Sequence, residues 1–392
     1  MALDDCKMLK ILCLIFIPYV IIGASLSTFP GYVENVLAFS SLFSGIVIGS
    51  QYLCTLISRP LAGKNADQWG AKKTVALGMV SLCLCGALTY FSFEITAHPR
   101  ASLVTLIAGR LALGLAESWI GTGCITWAIR KFGNDETSKI ISWGGVFSYG
   151  GLTIGASCGL WFTKHFHFVD ISYLFIVFGF IGWFVCSRLS GVQVSSVNKI
   201  KYRHVFGKVL PYGIILALGS AGFGVIGAFL TLLFQSHGWR GAASALAIFG
   251  AFFILARIAF VGAIKRFGSL LTAAISLGVE SLGLGLISID HSEIVSVVGC
   301  AIVGGGFALV FPALGVEAVE GVATQNRGTA ISAFALFLDF GIGVSGPAAG
   351  LIADFWGYRS AFTFSLVLAT FATVLVMTVF AKRHSERCSN VY

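Results

Sequence analysis

An all-α protein that crosses a membrane many times is the fold class this sequence predicts. Segments of roughly twenty apolar residues recur about twelve times, separated by short polar turns, and about 20 helical residues span the ~30 Å hydrocarbon core of a bilayer. Hydrophobic residues make up 57% of the 392-residue chain and charged residues 11%, with a mean hydropathy of +0.89, whereas soluble domains carry about 25% charge. The charges punctuate the apolar segments instead of covering one face, so the net charge of +9 does not read as a nucleic-acid surface.

Taken in order, the predicted spans are 8–30, 38–61, 73–93, 101–128, 140–163, 171–189, 209–235, 241–262, 268–289, 294–321, 329–351 and 360–381. The first follows Lys7 and Lys10, lacks a small-residue cleavage site and runs straight into the second, so it reads as a retained helix and not a signal peptide. The longest polar stretch, 191–208, carries Lys199, Lys201, Arg203 and Lys208. It divides the chain into an amino-terminal six-helix bundle over 1–190, a cytoplasmic linker over 191–208, and a carboxy-terminal six-helix bundle with a short cytoplasmic tail over 209–392. With the amino terminus placed in the cytoplasm, 21 of the 26 Lys and Arg residues lie on the inner side or at inner helix ends. Four lie outside, Arg100, Lys164, Arg240 and Arg359, and Arg110 lies within a span. That bias sets the orientation, and an even number of spans puts both termini inside. Trp69, Trp143, Trp161, Trp239 and Trp356 fall near span ends, where an aromatic belt is expected. The 48 glycines suit helices packed closely in lipid.

A weak internal repeat crosses the linker. Arg59 precedes Gly70 by eleven residues, as Arg257 precedes Gly268, and Gly155 and Gly159 echo Gly346 and Gly350. Two parallel six-helix repeats suggest halves that rock about a site near the midplane.

Several function classes are disfavoured. The ten cysteines are scattered, mostly through apolar spans, with no metal or redox spacing, and read as reduced packing residues. The seven histidines show no ligand spacing, no P-loop is present, and no nucleophile or metal cluster lies at one depth. No enzyme activity, cofactor or metal is therefore expected.

What remains is the rare polar groups inside the spans. Arg110 and Glu117 are seven residues apart, so they share a helix face about 10 Å apart along the axis. Intramembrane charges are costly and normally face a cavity or a partner. A carboxylate balanced between burial and a nearby guanidinium could exchange its proton as access changes, or the pair could tie helices together. Asp339, mid-span, is a second proton or cation candidate or a partner for a base. Glu280, also mid-span, could pair structurally or take part in transport, with pairing the expected role, and Glu317 and Glu320 read as interfacial gate or packing charges. Tyr19, Gln51 and Tyr52 offer polar groups at membrane depth that could line a substrate path or satisfy local hydrogen bonds, and Tyr149 joins them as a substrate-binding candidate.

Between spans two and three, Gly63, Asp67 and Gly70 keep the spacing G-x-x-x-D-x-x-G, followed by Ala71, Lys72 and Lys73. The glycines allow tight turns and close helix approach, and Asp67 could accept from a helix amino terminus or pair with a base. This string resembles the cytoplasmic loop signature of the major facilitator superfamily, with Ala71 where the signature usually has Arg. The second-half copy is degraded, with Val261 and Lys265 at the Gly and Asp positions. The Gly109–Ser118 run resembles the family's helix-four motif, whose embedded Arg is linked to proton coupling. The Gly151, Gly155, Gly159 ladder resembles its antiporter motif, but Ala156 replaces the Pro. Longer strings are similar to the YhhS/YfcJ-type, arabinose-efflux-like permease branch. They include Phe29–Val33, Gly49–Leu53, Leu113–Ser118, Ser148–Gly150, Phe311–Val319 and Gln325–Gly328.

The resemblance implies the major facilitator fold, with 12 transmembrane helices in two pseudo-symmetric six-helix halves. It also implies a bacterial inner-membrane secondary transporter, monomeric, that exports a small organic molecule such as a drug, sugar-like metabolite or metallophore in exchange for protons. Glu117, Arg110 and Asp339 are then the proton-coupling residues, and Gly63, Asp67, Gly70 and Lys72 form the gating loop that latches the outward-facing state. A proton-coupled importer is the alternative, because motifs report direction poorly. A receptor or scaffold on the same fold predicts lost coupling charges and an enlarged soluble segment, and neither is found.

Overall fold

The computed structural model describes residues 2–133, 136–192, 202–260, 262–289, 292–320 and 327–389. Half of the predicted linker, residues 193–201, lies outside them, as do Val261, Gln325 and Asn326, and so do the side chains of Asp67 and Lys265. Among the described residues every regular element is helical. The chain divides into two compact units, Met1–Asn198 and Lys199–Tyr392.

In the first unit, α1 (Ala2–Leu12) and α2 (Phe16–Gly31) join through the single turn Cys13–Ile15 and run on into a wider turn, Tyr32–Val36. Pro30 lies in the last turn of α2, where its missing N–H frees a carbonyl and loosens the ladder. There follow α3 (Ser41–Asn65), the turn Ala66–Gly70, α4 (Ala71–Glu94), α5 (Pro99–Phe132), α6 (Thr137–His165) and α7 (Phe168–Arg188). The second unit holds α8 (Tyr202–Ser236), α9 (Ala242–Ala259), α10 (Ala263–Phe267), α11 (Ser269–Ile289), α12 (Glu293–Phe307), α13 (Val310–Val319), α14 (Arg327–Trp356) and α15 (Tyr358–Ser389).

Eleven helical stretches among the described residues are long and apolar enough to cross a membrane. The fifth predicted span corresponds to α6, whose glycines, serines and threonines dilute its hydrophobic content. The tenth span crosses as one stretch, Glu293–Ala318, with a local irregularity at Ala308 and Leu309 between α12 and α13. Pro312 sits in the first turn of α13, where its missing N–H disrupts a continuous ladder but suits a helix start. The eighth span ends at Ala259 and leaves α10 as a separate short helix. Phe180, Ile181, Trp183 and Phe184 of α7 are all exposed, an apolar face suited to lipid.

Within the first unit the main pairings are α4 with α5, α2 with α6, α4 with α7 and α3 with α5. The same four recur in the second: α11 with α12, α8 with α14, α11 with α15 and α9 with α12. The register is equally clear. Gly70, just before α4, has φ +99°, and Gly268, just before α11, has φ +85°. At the α3–α5 crossing, a Cβ on Gly114 would lie 2.2 Å from the Gln51 carbonyl oxygen, and at α9–α12 one on Gly304 would lie 2.1 Å from that of Phe249. Gln51 and Phe249 differ by the same 198 positions as Gly70 and Gly268.

Candidate functional site

The glycine at 114 sets the geometry of the first unit's polar cluster. With no side chain there, the α3 backbone lies against α5, with Cys54 Cβ only 2.9 Å from where a Cβ would stand. Gln51 and Thr55, one helical turn apart on α3, then reach Glu117 on α5. Gln51 Nε2 donates to Glu117 Oε2 at 2.9 Å. The Thr55 hydroxyl lies 3.1 Å from the same oxygen. It lies equally close to the carbonyls of Gly114 and Gln51, so its single proton chooses among three acceptors. All three side chains are buried.

Arg110 lies two turns away on the same helix and has 0% exposure. Its Nε, Nη1 and Nη2 atoms have no hydrogen-bond partner among the described residues. Its guanidinium stands 5.7 Å from the centre of the Phe29 ring, and Tyr52, Cys85 and Glu117 act on it electrostatically. A cation–π contact is worth roughly 0.5–2 kcal/mol, less than the several kcal/mol that removing such a charge from water costs. The cluster therefore combines an acid held by two neutral donors with a cation whose donors are uncommitted.

The repeat sharpens the contrast. The second-unit counterparts of Gln51 and Thr55 are Phe249 and Phe253, and with Gly114 matched to Gly304 the counterpart of Glu117 is Phe307. Phe253 and Phe307 have ring centres 6.2 Å apart, and Phe223 packs against both Phe249 and Phe307. One crossing carries a hydrogen-bonded acid, and its counterpart carries aromatic rings.

The other expected residues distribute as follows. Tyr52 is buried beside Gln51 on α3. Tyr19 and Tyr149 are half-buried at the α2–α6 crossing, where a Cβ at Gly151 would lie 3.0 Å from that of Tyr19. Asp339 is buried on α14 in the second unit. Glu317 accepts a hydrogen bond from Ser269. Glu280, expected to pair, has no hydrogen-bond partner for either carboxylate oxygen among the described residues, and Gly219 and Gly222 of α8 lie against it.

In the predicted gating loop, Gly70 makes the tight turn, as its positive φ requires. Gly63 does not: it lies inside α3, and an added Cβ would meet nothing within 4 Å among the described residues. Lys72 Nζ donates to the carbonyls of Ser187 at 2.9 Å and Leu189 at 2.6 Å, capping the carboxy-terminal end of α7. Two neighbours missed in the sequence do similar work. Arg130 donates to the Ala66 carbonyl at 3.0 Å, and Lys131 to the Ser190 hydroxyl at 2.6 Å. Their position in the last turn of α5 was the available signal. Thr55 was also missed, although it lies four residues after Gln51 on the same helix face.

Comparison with known proteins agrees with this architecture. The family model for the Major Facilitator Superfamily matches residues 11–345. A Burkholderia pseudomallei (strain 1106a) protein described as an uncharacterized MFS-type transporter is 40% identical over 380 residues, covering 97% of this chain and 93% of that protein. A Pseudomonas aeruginosa (strain UCBPP-PA14) protein of the same description is 38% identical over 381 residues, covering 97% and 94%. Among solved structures, the nucleoside transporter NupG superposes with a TM-score of 0.72 at 18% identity, covering 96% of this chain and 98% of that one. The human organic anion transporter MFSD10 (TETRAN) superposes with a TM-score of 0.68 at 14% identity, covering 95% and 98%. With its helix pairings repeated across two units, the chain belongs to the major facilitator superfamily and is a multi-pass membrane transporter of that fold.

Proposed function

We propose that this transporter is a proton-coupled antiporter that exports a small organic molecule across a bacterial inner membrane by alternating access. The observation that carries the reading is the buried Glu117 carboxyl held by Gln51 and Thr55. Gln51 and Thr55 are neutral donors that stabilise the ionised acid, and the protonated acid keeps hydrogen-bonding options with the same side chains. Such a group can take up and release a proton as its access to water changes. Arg110 favours the ionised state from two turns away, and its uncommitted donors suit an anionic group on the cargo. Asp339 supplies a second acidic site. Tyr19, Tyr52, Gln51 and Tyr149 contribute to the substrate path. The segment from Gly63 near the end of α3 through Asp67 and Gly70 to Lys72 at the start of α4 gates the inner side. The protein works as a monomer with both termini in the cytoplasm.

Metabolite profiling of a deletion strain and its medium gives cargo and direction together: cellular accumulation of the cargo on deletion supports export, and depletion assigns import. In proteoliposomes, Glu117→Gln should retain substrate counterflow and lose net proton-driven flux. Undiminished net flux in that variant would remove Glu117 from the mechanism.

A further inference from the structure

Glu280 lies at mid-span in α11 with 0% exposure. Glycines from two neighbouring helices press on it. On α8, a Cβ at Gly222 would stand 2.7 Å from Oε1, and one at Gly219 would stand 3.9 Å from Oε2. On α12, a Cβ at Gly306 would stand 2.5 Å from the Glu280 backbone nitrogen. Leu277 and Leu284 of α11 and Val310 of α13 lie against the same two α8 glycines. The helices packed on α11 are α8, α10, α12, α13 and α15, and among the described residues no charged or titratable side chain of theirs acts on Glu280. The nearest acid along α13, Glu317, is engaged by Ser269 at the start of α11, about 16 Å along the helix from Glu280. Neither carboxylate oxygen has a hydrogen-bond donor among the described residues, and an unpaired carboxylate in such surroundings costs several kcal/mol or more. Packing does not demand an acid here either. The 198-residue offset places Leu82 at the equivalent position of the first unit, and Leu82 is fully buried.

We propose that Glu280 is a proton-binding site of the second unit, carried as the neutral acid between α8 and α12. It releases its proton, to water, only when α8 moves off the carboxyl at Gly219 and Gly222. The carboxylate that remains cannot re-enter the closed junction until it is protonated again, so the contact between α8 and α11 and the charge of Glu280 switch together. This site is separate from Glu117 and Asp339.

The test is infrared spectroscopy of the purified full-length protein in lipid bilayers at neutral pH. Wild type should show a protonated-carboxyl carbonyl component that Glu280→Gln removes and that Glu117→Gln and Asp339→Asn leave in place. Gly222→Ala provides a second reading that does not depend on the folding of Glu280→Gln. It sets a methyl group 2.7 Å from Oε1 and should shift the frequency of that same component. The proposal is overturned if Glu280→Gln removes carboxylate stretch intensity instead, or if the protonated-carboxyl region is unchanged in both variants. The measurement does not involve transport, so its failure and a failure of the Glu117 mechanism are separate results.

Discussion

Replacing Gly114 with alanine tests how the site is built. The new Cβ would lie 2.2 Å from the Gln51 carbonyl oxygen, about 1.2 Å inside ordinary van der Waals contact at 3.4 Å. The obstacle is backbone, so no rotamer change relieves it, and α3 must move away from α5. Gln51 Nε2 and Glu117 Oε2 are 2.9 Å apart. A displacement of about 1 Å in that direction takes them beyond hydrogen-bond range. The expected cost is about 1–3 kcal/mol for overpacking and a further ~1.5–3 kcal/mol for the lost bond to a charged group. Gly304→Ala is the matched control, because its Cβ meets the Phe249 carbonyl oxygen at 2.1 Å but no hydrogen-bonded acid crosses there. Both variants should lose thermal stability. Among molecules that fold, only Gly114→Ala should lose proton-driven flux while keeping counterflow. Equal proton-driven flux per folded molecule in the two variants would refute the claim that the close α3–α5 approach assembles the site.

Arg110→Met removes a buried charge that has no hydrogen-bond acceptor among the described residues; thermal unfolding should show a neutral effect or a gain of up to about 1–4 kcal/mol, while transport is lost. Strong destabilisation would mean that the guanidinium is paired. Gly70→Ala should cost about 1–2 kcal/mol because φ is +99°, whereas Gly63→Ala, in an open position within α3, should be neutral or stabilising by up to about 1 kcal/mol. Thermal denaturation of the two side by side checks the contrast. Lys72→Ala removes two donors from the end of α7, and amide hydrogen exchange over the last turn of that helix should accelerate about fivefold, the equivalent of about 1 kcal/mol.

Hydropathy alone located the spans, because lipid forces each to be long, apolar and internally hydrogen-bonded. The repeat was visible in Arg59 and Gly70 against Arg257 and Gly268, where the backbone itself demands glycine. Rare charge picked out Arg110 and Glu117. Their setting was not visible, since the bond from Gln51 to Glu117 depends on two helices meeting at Gly114, and no local pattern marks a glycine as a crossing point. Thr55 looks like any mid-helix threonine until α5 is placed beside it. Lys72 finds its acceptors 115 and 117 residues further on, a pairing that spacing cannot show. Glu280 misled for the complementary reason, because a buried acid in a sequence suggests a partner and only the packing of α8 and α12 shows glycine there.

Substrate-dependent proton movement most directly tests whether Glu117 couples transport. Proteoliposomes loaded with a fluorescent pH indicator and supplied with the cargo identified by profiling should change internal pH with the wild-type protein and not with Glu117→Gln, although both still bind and exchange that cargo. The same cargo-driven pH change in both proteins would contradict the account.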